Sequence, residues 1–273
     1  MDEQIITIYC FCCEVLQSVR HVEDRQCQMS DAEILTTAFV AALYFRGNYE
    51  MARQFLRTEH YMRHMLSKER FNRRLHRIDW LVIVCFERLA ERWKALNTDA
   101  LYLLDSFPIP VCDNYRIGRN KLYPGNADYR GVIASKRRYF FGVRVHLMTT
   151  QAGQPVEVCL LPAHCHDLIG LDCLPLDLPA GATLYADAAY NDAGREAICA
   201  EAGLCFQPMR RRNMHHQFPG WIQFLQSHFR KQIEVTGSLL ERLLPKSIHA
   251  VTPAGFELKV MLFVAALSLQ FLW

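Results

Sequence analysis

The sequence predicts an α/β protein in which a mixed sheet with flanking helices follows an all-helical N-terminal region. Two patterns indicate this fold class. Residues 1–98 read as capped helices, whereas short apolar runs typical of strands alternate with helical segments from residue 99 onward. The 273 residues are 51% hydrophobic, which is enough to bury a substantial core. We therefore predict two regions, 1–98 and 99–273.

Two capped helix starts characterise the N-terminal region. Ser30 is followed three residues later by Glu33, a capping-box signature, and Ser67 opens a second helical run. This second helix carries four arginines at spacings of three and four, which place them on one face. They are Arg70, Arg73, Arg74 and Arg77. A basic helical face suits contacts with phosphate, and a solvated helix face is the alternative.

Five strands are predicted after residue 99, in the order three strands, helix, strand, helix, strand, helix. The five runs cover residues 100–105, 137–150, 154–162, 182–190 and 204–209. Asp105 ends the first strand, and Asp187 ends the fourth. The polar and basic stretch 111–135 is predicted to be a long loop, and loops of that length are usually functional.

Three acids are candidate metal ligands. Asp105 and Asp187 end strands, and neighbouring parallel strands collect functional groups at their carboxyl ends. Glu234 lies on a long C-terminal helix, with Arg230 one turn before it. Carboxylates are ligands for Mg²⁺, and two ions about 3.5–4 Å apart promote displacement at a phosphodiester. The alternatives are acids that face solvent at strand ends, and Glu241 in place of Glu234.

Charge is unevenly distributed along the chain, although the net charge is only +3. Residues 106–150 and 203–246 carry net charges of +6 and +5, and residues 151–202 carry −7. An acidic middle between two basic stretches suits a site that holds cations and is approached by a polyanion. The alternative is ordinary variation in surface charge.

The eleven cysteines and the acidic N-terminal start indicate free thiols in a reducing cytosol rather than a secreted protein. We expect a cytoplasmic protein that does not enter a membrane, because the apolar run Val260–Trp273 is too short to span a bilayer and is typical of a core helix. His166 and Asp167 are expected to cap a helix or support the site, and a zinc site with Cys173 is the alternative.

Four long stretches carry a family resemblance. They are "DSFPIPVCDNYRIGRNKLY", "YRGVIASKRRYFFGVRVHLMTT", "LPAGATLYADAAYND" and "FRKQIEVTGSLLERLLPKSIHAVTPAGFELKV". In these stretches the chain resembles the DDE transposases of bacterial insertion sequences, specifically the insertion sequence 982 family. The resemblance implies an RNase H-like catalytic core with a mixed five-stranded sheet, behind a helical DNA-binding region at 1–98. It also implies that Asp105, Asp187 and Glu234 form a catalytic triad that binds Mg²⁺ or Mn²⁺, two ions together.

The resemblance further implies a DNA transposase that cleaves the ends of a mobile element and joins them to new DNA. Its partners would be terminal inverted repeats and target DNA, held by a homodimer in the bacterial cytoplasm, on the nucleoid. Basic residues outside the N-terminal helices are the remaining expected DNA contacts. They are Arg230, Arg242, Lys136, Arg137, Arg138, Arg210, Arg211 and Arg212. Two alternatives stay open: an RNase H-like metal-dependent nuclease without strand transfer, and a decayed transposase that only binds DNA.

The helix that carries Glu234 departs from a related pattern. The insertion sequence 4 family marks this helix with Tyr-x2-Arg-x3-Glu-x6-Lys, which Arg230 and Glu234 match. Ser227 stands in place of the Tyr, and Glu241 stands in place of the Lys. Gly237 lies mid-helix, where a glycine costs about 0.5–1 kcal/mol relative to alanine. In addition, Ala188 follows the second acid, where the resemblance leads us to expect a Lys.

Overall fold

The computed structural model describes residues 1–112, 114–133, 138–211 and 213–273. The chain forms two compact units: Met1–Leu89 together with Leu240–Trp273, and Ala90–Leu239. This division differs from the predicted regions 1–98 and 99–273. The reason is that the apolar C-terminal helix packs against an N-terminal helix rather than joining the sheet.

The first unit is helical. Its helices are α1 Asp2–Ser18, α2 Asp31–Tyr44, α3 Tyr49–Thr58, α4 Lys68–Arg77, the start of α5 Trp80–Leu96, and α9 Pro253–Leu269. The capping box predicted at Ser30 is confirmed: its hydroxyl accepts from the Glu33 N–H at 3.1 Å, and the Glu33 carboxylate accepts from the Ser30 N–H at 2.7 Å. Ser67 caps α4 with a single bond, since its hydroxyl accepts from the Arg70 N–H at 3.4 Å.

Helix α9 is a core helix of this unit, as predicted. Phe256, Val260, Phe263 and Val264 are at most 1% exposed, and the helix packs on α2. Among the described residues, the segment Pro253–Leu272 is the one that is long and apolar enough to cross a membrane, by length and composition alone. Burial within the unit accounts for this apolar composition.

The second unit is built on one mixed sheet, which confirms the predicted α/β class. Its strands are β1 Leu101–Cys112, β2 Arg130–Ile133, β3 Arg138–Thr150, β4 Pro155–Pro162, β5 Thr183–Ala186 and β6 Cys205–Pro208. The order is β2-β3-β1-β5-β6, and β4 also pairs with β3. The pairs of β3 with β1, β2 and β4 are antiparallel, whereas β1–β5 and β5–β6 are parallel.

The described residues form six strands rather than the predicted five. The additional strand, β2, lies in the stretch 111–135 that was predicted to be loop. Gly131 makes this strand possible, because a Cβ there would lie 2.7 Å from the Ala163 carbonyl oxygen and 2.6 Å from the Phe140 ring. This short strand was not predicted because the stretch is polar, whereas strands are predicted from apolar runs.

Strand β1 does not end at Asp105, contrary to the prediction. It continues to Cys112 because β3 pairs with it along almost its whole length. The parallel neighbour β5 does end at Ala186, whose partner in register is Leu104. Asp105 therefore lies in mid-strand, at the point where the sheet loses the parallel neighbour of β1.

Pro108 and Pro110 are compatible with a strand because of that same edge. Backbone groups of successive residues point alternately to the two sides of a strand. The Ala100 carbonyl accepts from the Thr183 N–H at 2.9 Å, so the backbone N–H and C=O groups of even-numbered β1 residues point toward β5. Both prolines are even-numbered and lie beyond the end of β5, where proline's missing N–H removes no ladder hydrogen bond.

Three helices flank the sheet: α6 Asp167–Cys173, α7 Ala193–Glu201 and α8 Gly220–Leu243. Helix α8 covers the face of the odd-numbered β1 residues through a buried cluster. Its members are Leu103, Tyr185, Phe229 and Ile233. Helix α6 lies on the opposite face, since it bonds to the even-numbered residue Ser106.

Candidate active site

Asp105 and Asp187 lie side by side. Leu104 of β1 pairs with Ala186 of β5 in parallel register, and each acid is the next residue on its strand. Neighbouring strands are about 4.8 Å apart, so the two acids share one notch in the sheet. Each carboxylate accepts a hydrogen bond from the N–H of the residue that follows it, at 2.7 Å for Asp105 and 2.6 Å for Asp187.

Arg230 connects the second and third acids. On α8, its Nε donates to Oε1 of Glu234 at 3.0 Å, and its Nη1 lies 3.6 Å from Oδ1 of Asp187. Asp105, Asp187 and Arg230 line a narrow cleft between β1, β5 and α8. The structure thus places one cation among carboxylates that come from three separate parts of the chain.

Close packing fixes α8 over this notch. The rings of Tyr185 and Phe229 stack with centroids 5.1 Å apart. One turn beyond Glu234, a Cβ on Gly237 would lie 2.1 Å from the Phe107 ring. Only glycine lets the helix approach β1 so closely. The mid-helix glycine is therefore a packing requirement of this site, and it gives no support to the decayed-copy alternative.

The environment of Asp105 disfavours its charged form. The pKa of the Asp105 carboxyl is raised to about 7, chiefly by burial and in part by the negative charges of Asp187 and Asp167. The Ser106 N–H and the Arg230 guanidinium oppose this rise. Near neutral pH this carboxyl therefore keeps a proton for part of the time, and a further cation nearby would favour its ionised form.

A polar network supports the notch from the α6 side of the sheet. Ser106 donates to Asp167 at 2.7 Å, Arg144 lies 3.4 Å from the same carboxylate, and the His146 ring bonds to the Tyr190 hydroxyl at 3.0 Å. The supporting role expected for Asp167 agrees with these contacts. Arg144 and His146 were not predicted from the sequence. They stand two positions apart in a largely apolar strand, and this spacing could have indicated a polar group on one side of the sheet.

His146 is packed so tightly that it must be neutral. It is 0% exposed, and a Cβ on Gly170 of α6 would lie 2.1 Å from its Nδ1. Burial lowers the pKa of His146 to about 4. His166 has a simpler role, because its ring accepts from the Leu168 N–H at 3.3 Å and caps α6, as expected.

Apart from Arg230, which contacts Asp187 and Glu234, the predicted DNA contacts fall into three groups. Lys136, Arg137 and Arg212 lie outside the described residues. A second group is exposed at the surface: Arg70, Arg73, Arg77, Arg138, Arg211 and Arg242. Arg74 and Arg210 instead hold partners within the protein. Arg210 forms two bonds of 2.5 Å with Glu196 and lies 4.5 Å from the Phe218 ring centre.

Arg74 belongs to a separate cluster in the helical unit. Within the described part of the chain, His21, Glu23 and Asp31 are the one group whose possible ligand atoms all lie within 4.8 Å of one another. Asp31 already accepts from Arg74 at 2.7 Å and pairs with His21 at 2.8 Å, while Glu23 accepts from the Asp31 N–H. These bonds pair the charged groups of the cluster with one another and hold the loop before α2 against α4.

Two acids of the notch and Glu234 beside it are chemically suited to a divalent metal, but their possible ligand atoms do not all lie within 4.8 Å of one another. Asp105, Asp187 and Glu234 offer hard carboxylate oxygens, the ligands that Mg²⁺ and Mn²⁺ prefer. Two observations support the fit: a guanidinium already compensates two of these carboxylates, and the third has a raised pKa that a nearby cation would lower.

A family model described as "Transposase DDE domain" matches residues 95–244, more than half of the chain. A comparison with curated proteins found no match. A chain in a cryo-EM structure of a piggyBac transposase synaptic complex with hairpin DNA is similar with a TM-score of 0.47 and 11% identity, over 98% of this chain and 72% of that one. On the family match, this chain belongs to the transposase DDE domain family.

Proposed function

We propose that this protein is a DNA transposase of the insertion sequence 982 type, with Asp105, Asp187 and Glu234 as its catalytic acids. The observation that carries the proposal is the register of β1 and β5, which places two acids 82 positions apart in sequence side by side. The Arg230 bridge from Asp187 to Glu234 supports the third member. If β4 is counted as the outer neighbour of β3 in place of β2, the strand order is β4-β3-β1-β5-β6. This order is compatible with an RNase H-like core.

Bound Mg²⁺ or Mn²⁺, in our proposal two ions, would activate a water or a 3′-hydroxyl and stabilise the leaving oxygen of the cleaved phosphodiester. The chain's own residues have three tasks in this scheme. The three acids would hold the cations, Asp105 would release to solvent the proton that it keeps for part of the time, and the α6 network would support β1 behind the acids.

DNA is the proposed partner. The exposed arginines of α4, together with Arg138, Arg211 and Arg242, supply phosphate contacts in this proposal, as do Lys136, Arg137 and Arg212. We further propose that a homodimer holds two terminal inverted repeats and captures target DNA. The protein would act in the bacterial cytoplasm, on the nucleoid.

Single replacement of the acids tests the assignment. Asp105→Ala, Asp187→Ala and Glu234→Ala should each reduce Mn²⁺-dependent cleavage of an element end by at least about 100-fold. Glu241→Ala is the matched control, because this exposed acid lies two turns further along α8. Full cleavage by any one of the three variants would refute the role of that acid.

A strand-transfer assay separates transposition from simple hydrolysis. The wild-type protein is incubated with pre-cleaved ends and a target plasmid in Mn²⁺. Joined products are expected, and cleavage without joining would favour the nuclease alternative. DNA binding without any reaction would favour a decayed copy.

A further inference from the structure

We propose that Arg230 is an internal competitor for the metal: its guanidinium takes the place of a cation between Asp187 and Glu234, and a divalent ion has to displace it. This inference rests on the proposed function, since it concerns the same three acids. It assigns Arg230 a role in metal loading, in addition to the DNA contact expected from the sequence.

The geometry supports competition rather than coexistence. One guanidinium lies 3.0 Å from the Glu234 carboxylate and 3.6 Å from the Asp187 carboxylate. Both acids therefore form an ion pair with the same positive charge. The charge of Asp105 also acts on Arg230, and the combined effect of these acids raises the pKa of the guanidinium. A divalent ion held by these carboxylates would meet the positive charge of Arg230 at close range, which is unfavourable while the guanidinium stays in place.

Arg230 is held loosely enough to leave. Its side chain is 48% exposed, and those of Asp187 and Glu234 are 37% and 56% exposed. Exposed ion pairs of this kind contribute little stability. Arg210 shows the contrast within the same unit, because it is 15% exposed and bonded to Glu196 through both terminal nitrogens. Arg210 is a structural arginine, whereas Arg230 is exchangeable.

Displacement has a consequence for substrate binding. A released Arg230 stays on α8, one turn from Glu234, and its five N–H donors become available for a phosphate. Metal loading therefore prepares the phosphate contact at the same place. By reciprocity, a phosphate that holds Arg230 away from the acids raises their affinity for the metal.

Metal binding without DNA tests the inference directly. Metal-free full-length protein is titrated with Mn²⁺, and free Mn²⁺ is followed by electron paramagnetic resonance. Arg230→Gln removes the charge but keeps a polar side chain, and we expect it to bind Mn²⁺ about 5-fold more tightly than wild type. Lys231→Gln is the matched control: it removes the same charge from the next, exposed position of α8 and should change the affinity less than 2-fold.

Asp187→Asn identifies the site in the same titration and should abolish the tight Mn²⁺ binding. If wild type binds through Asp187 and Arg230→Gln binds no tighter than Lys231→Gln, the competition is refuted while the proposed function stands. If neither wild type nor Arg230→Gln binds Mn²⁺, both proposals fail. Melting temperature is a second readout: the rise caused by Mn²⁺ should be larger for Arg230→Gln than for wild type, and an equal or smaller rise would contradict the inference.

Discussion

Replacing Asp105 by asparagine should stabilise the metal-free protein at alkaline pH. Asparagine resembles the protonated carboxyl and can still accept from the Ser106 N–H. Because the folded protein raises the pKa of Asp105 from 3.8 to about 7, the native state binds more protons than the unfolded chain between these two values. The stability of the wild type therefore falls as pH rises from about 4 to 7, and the full penalty is present above that range.

The size of the effect follows from the rise in pKa. About three pKa units correspond to an upper limit of about 4 kcal/mol, at roughly 1.4 kcal/mol per unit. Asp105 keeps some contact with solvent, and Arg230 can adjust its position, so a gain of about 2 kcal/mol is a more realistic expectation at pH 8. At pH 4 the native carboxyl is protonated and the unfolded one is protonated in part, so most of the gain should be absent.

The assay is thermal unfolding of both proteins in EDTA at pH 4, 6 and 8. Asp105→Asn should melt several degrees above wild type at pH 8 and close to it at pH 4. Asp172→Asn is a control of opposite sign, because the hydrogen bond from Arg195 lowers the pKa of Asp172 and the variant should lose stability at pH 8. The reasoning is refuted if Asp105→Asn is less stable than wild type at pH 8, or if its gain is the same at all three pH values.

Three further outcomes are expected. Gly237→Ala should lose about 1–3 kcal/mol in denaturant unfolding, because the new methyl group meets Phe107, and Phe107→Ala in the same chain should recover part of the loss; additive losses would contradict this packing. His146→Gln should lose less stability than wild type as pH falls from about 6.5 to 4, since the lowered pKa of His146 makes the unfolded chain take up its proton first; parallel pH curves would argue against a buried neutral ring. Mn²⁺ should raise the melting temperature of wild type, and this rise should disappear in Asp187→Asn and on chelation with EDTA; an unchanged rise in the variant would place the bound metal elsewhere.

Local signals predicted much of this structure. The cap at Ser30, the core helix near the C-terminus and the α/β class follow from hydrogen-bonding side chains and apolar periodicity, which act within a few residues. The proximity of Asp105 and Asp187 followed from a general property of parallel strands, even though the end of β1 was misplaced.

Features that depend on distant partners could not be predicted. The length of β1 is set by its pairing with β3, and this partner cannot be read from the residues of β1 alone. Gly237 looked unfavourable by helix propensity, and its reason, the ring of Phe107, lies 130 positions earlier in the chain. The partners of Arg74 and Arg210 could not be predicted either, because the sequence does not distinguish an arginine that contacts a carboxylate from one that contacts DNA.

Anomalous diffraction from crystals of the protein soaked in Mn²⁺ tests the central claim most directly. Manganese peaks should lie within about 2.5 Å of carboxylate oxygens of Asp105, Asp187 and Glu234, with Arg230 moved away from them. Manganese bound only at His21, Glu23 and Asp31, with Arg230 still bridging Asp187 and Glu234, would contradict it.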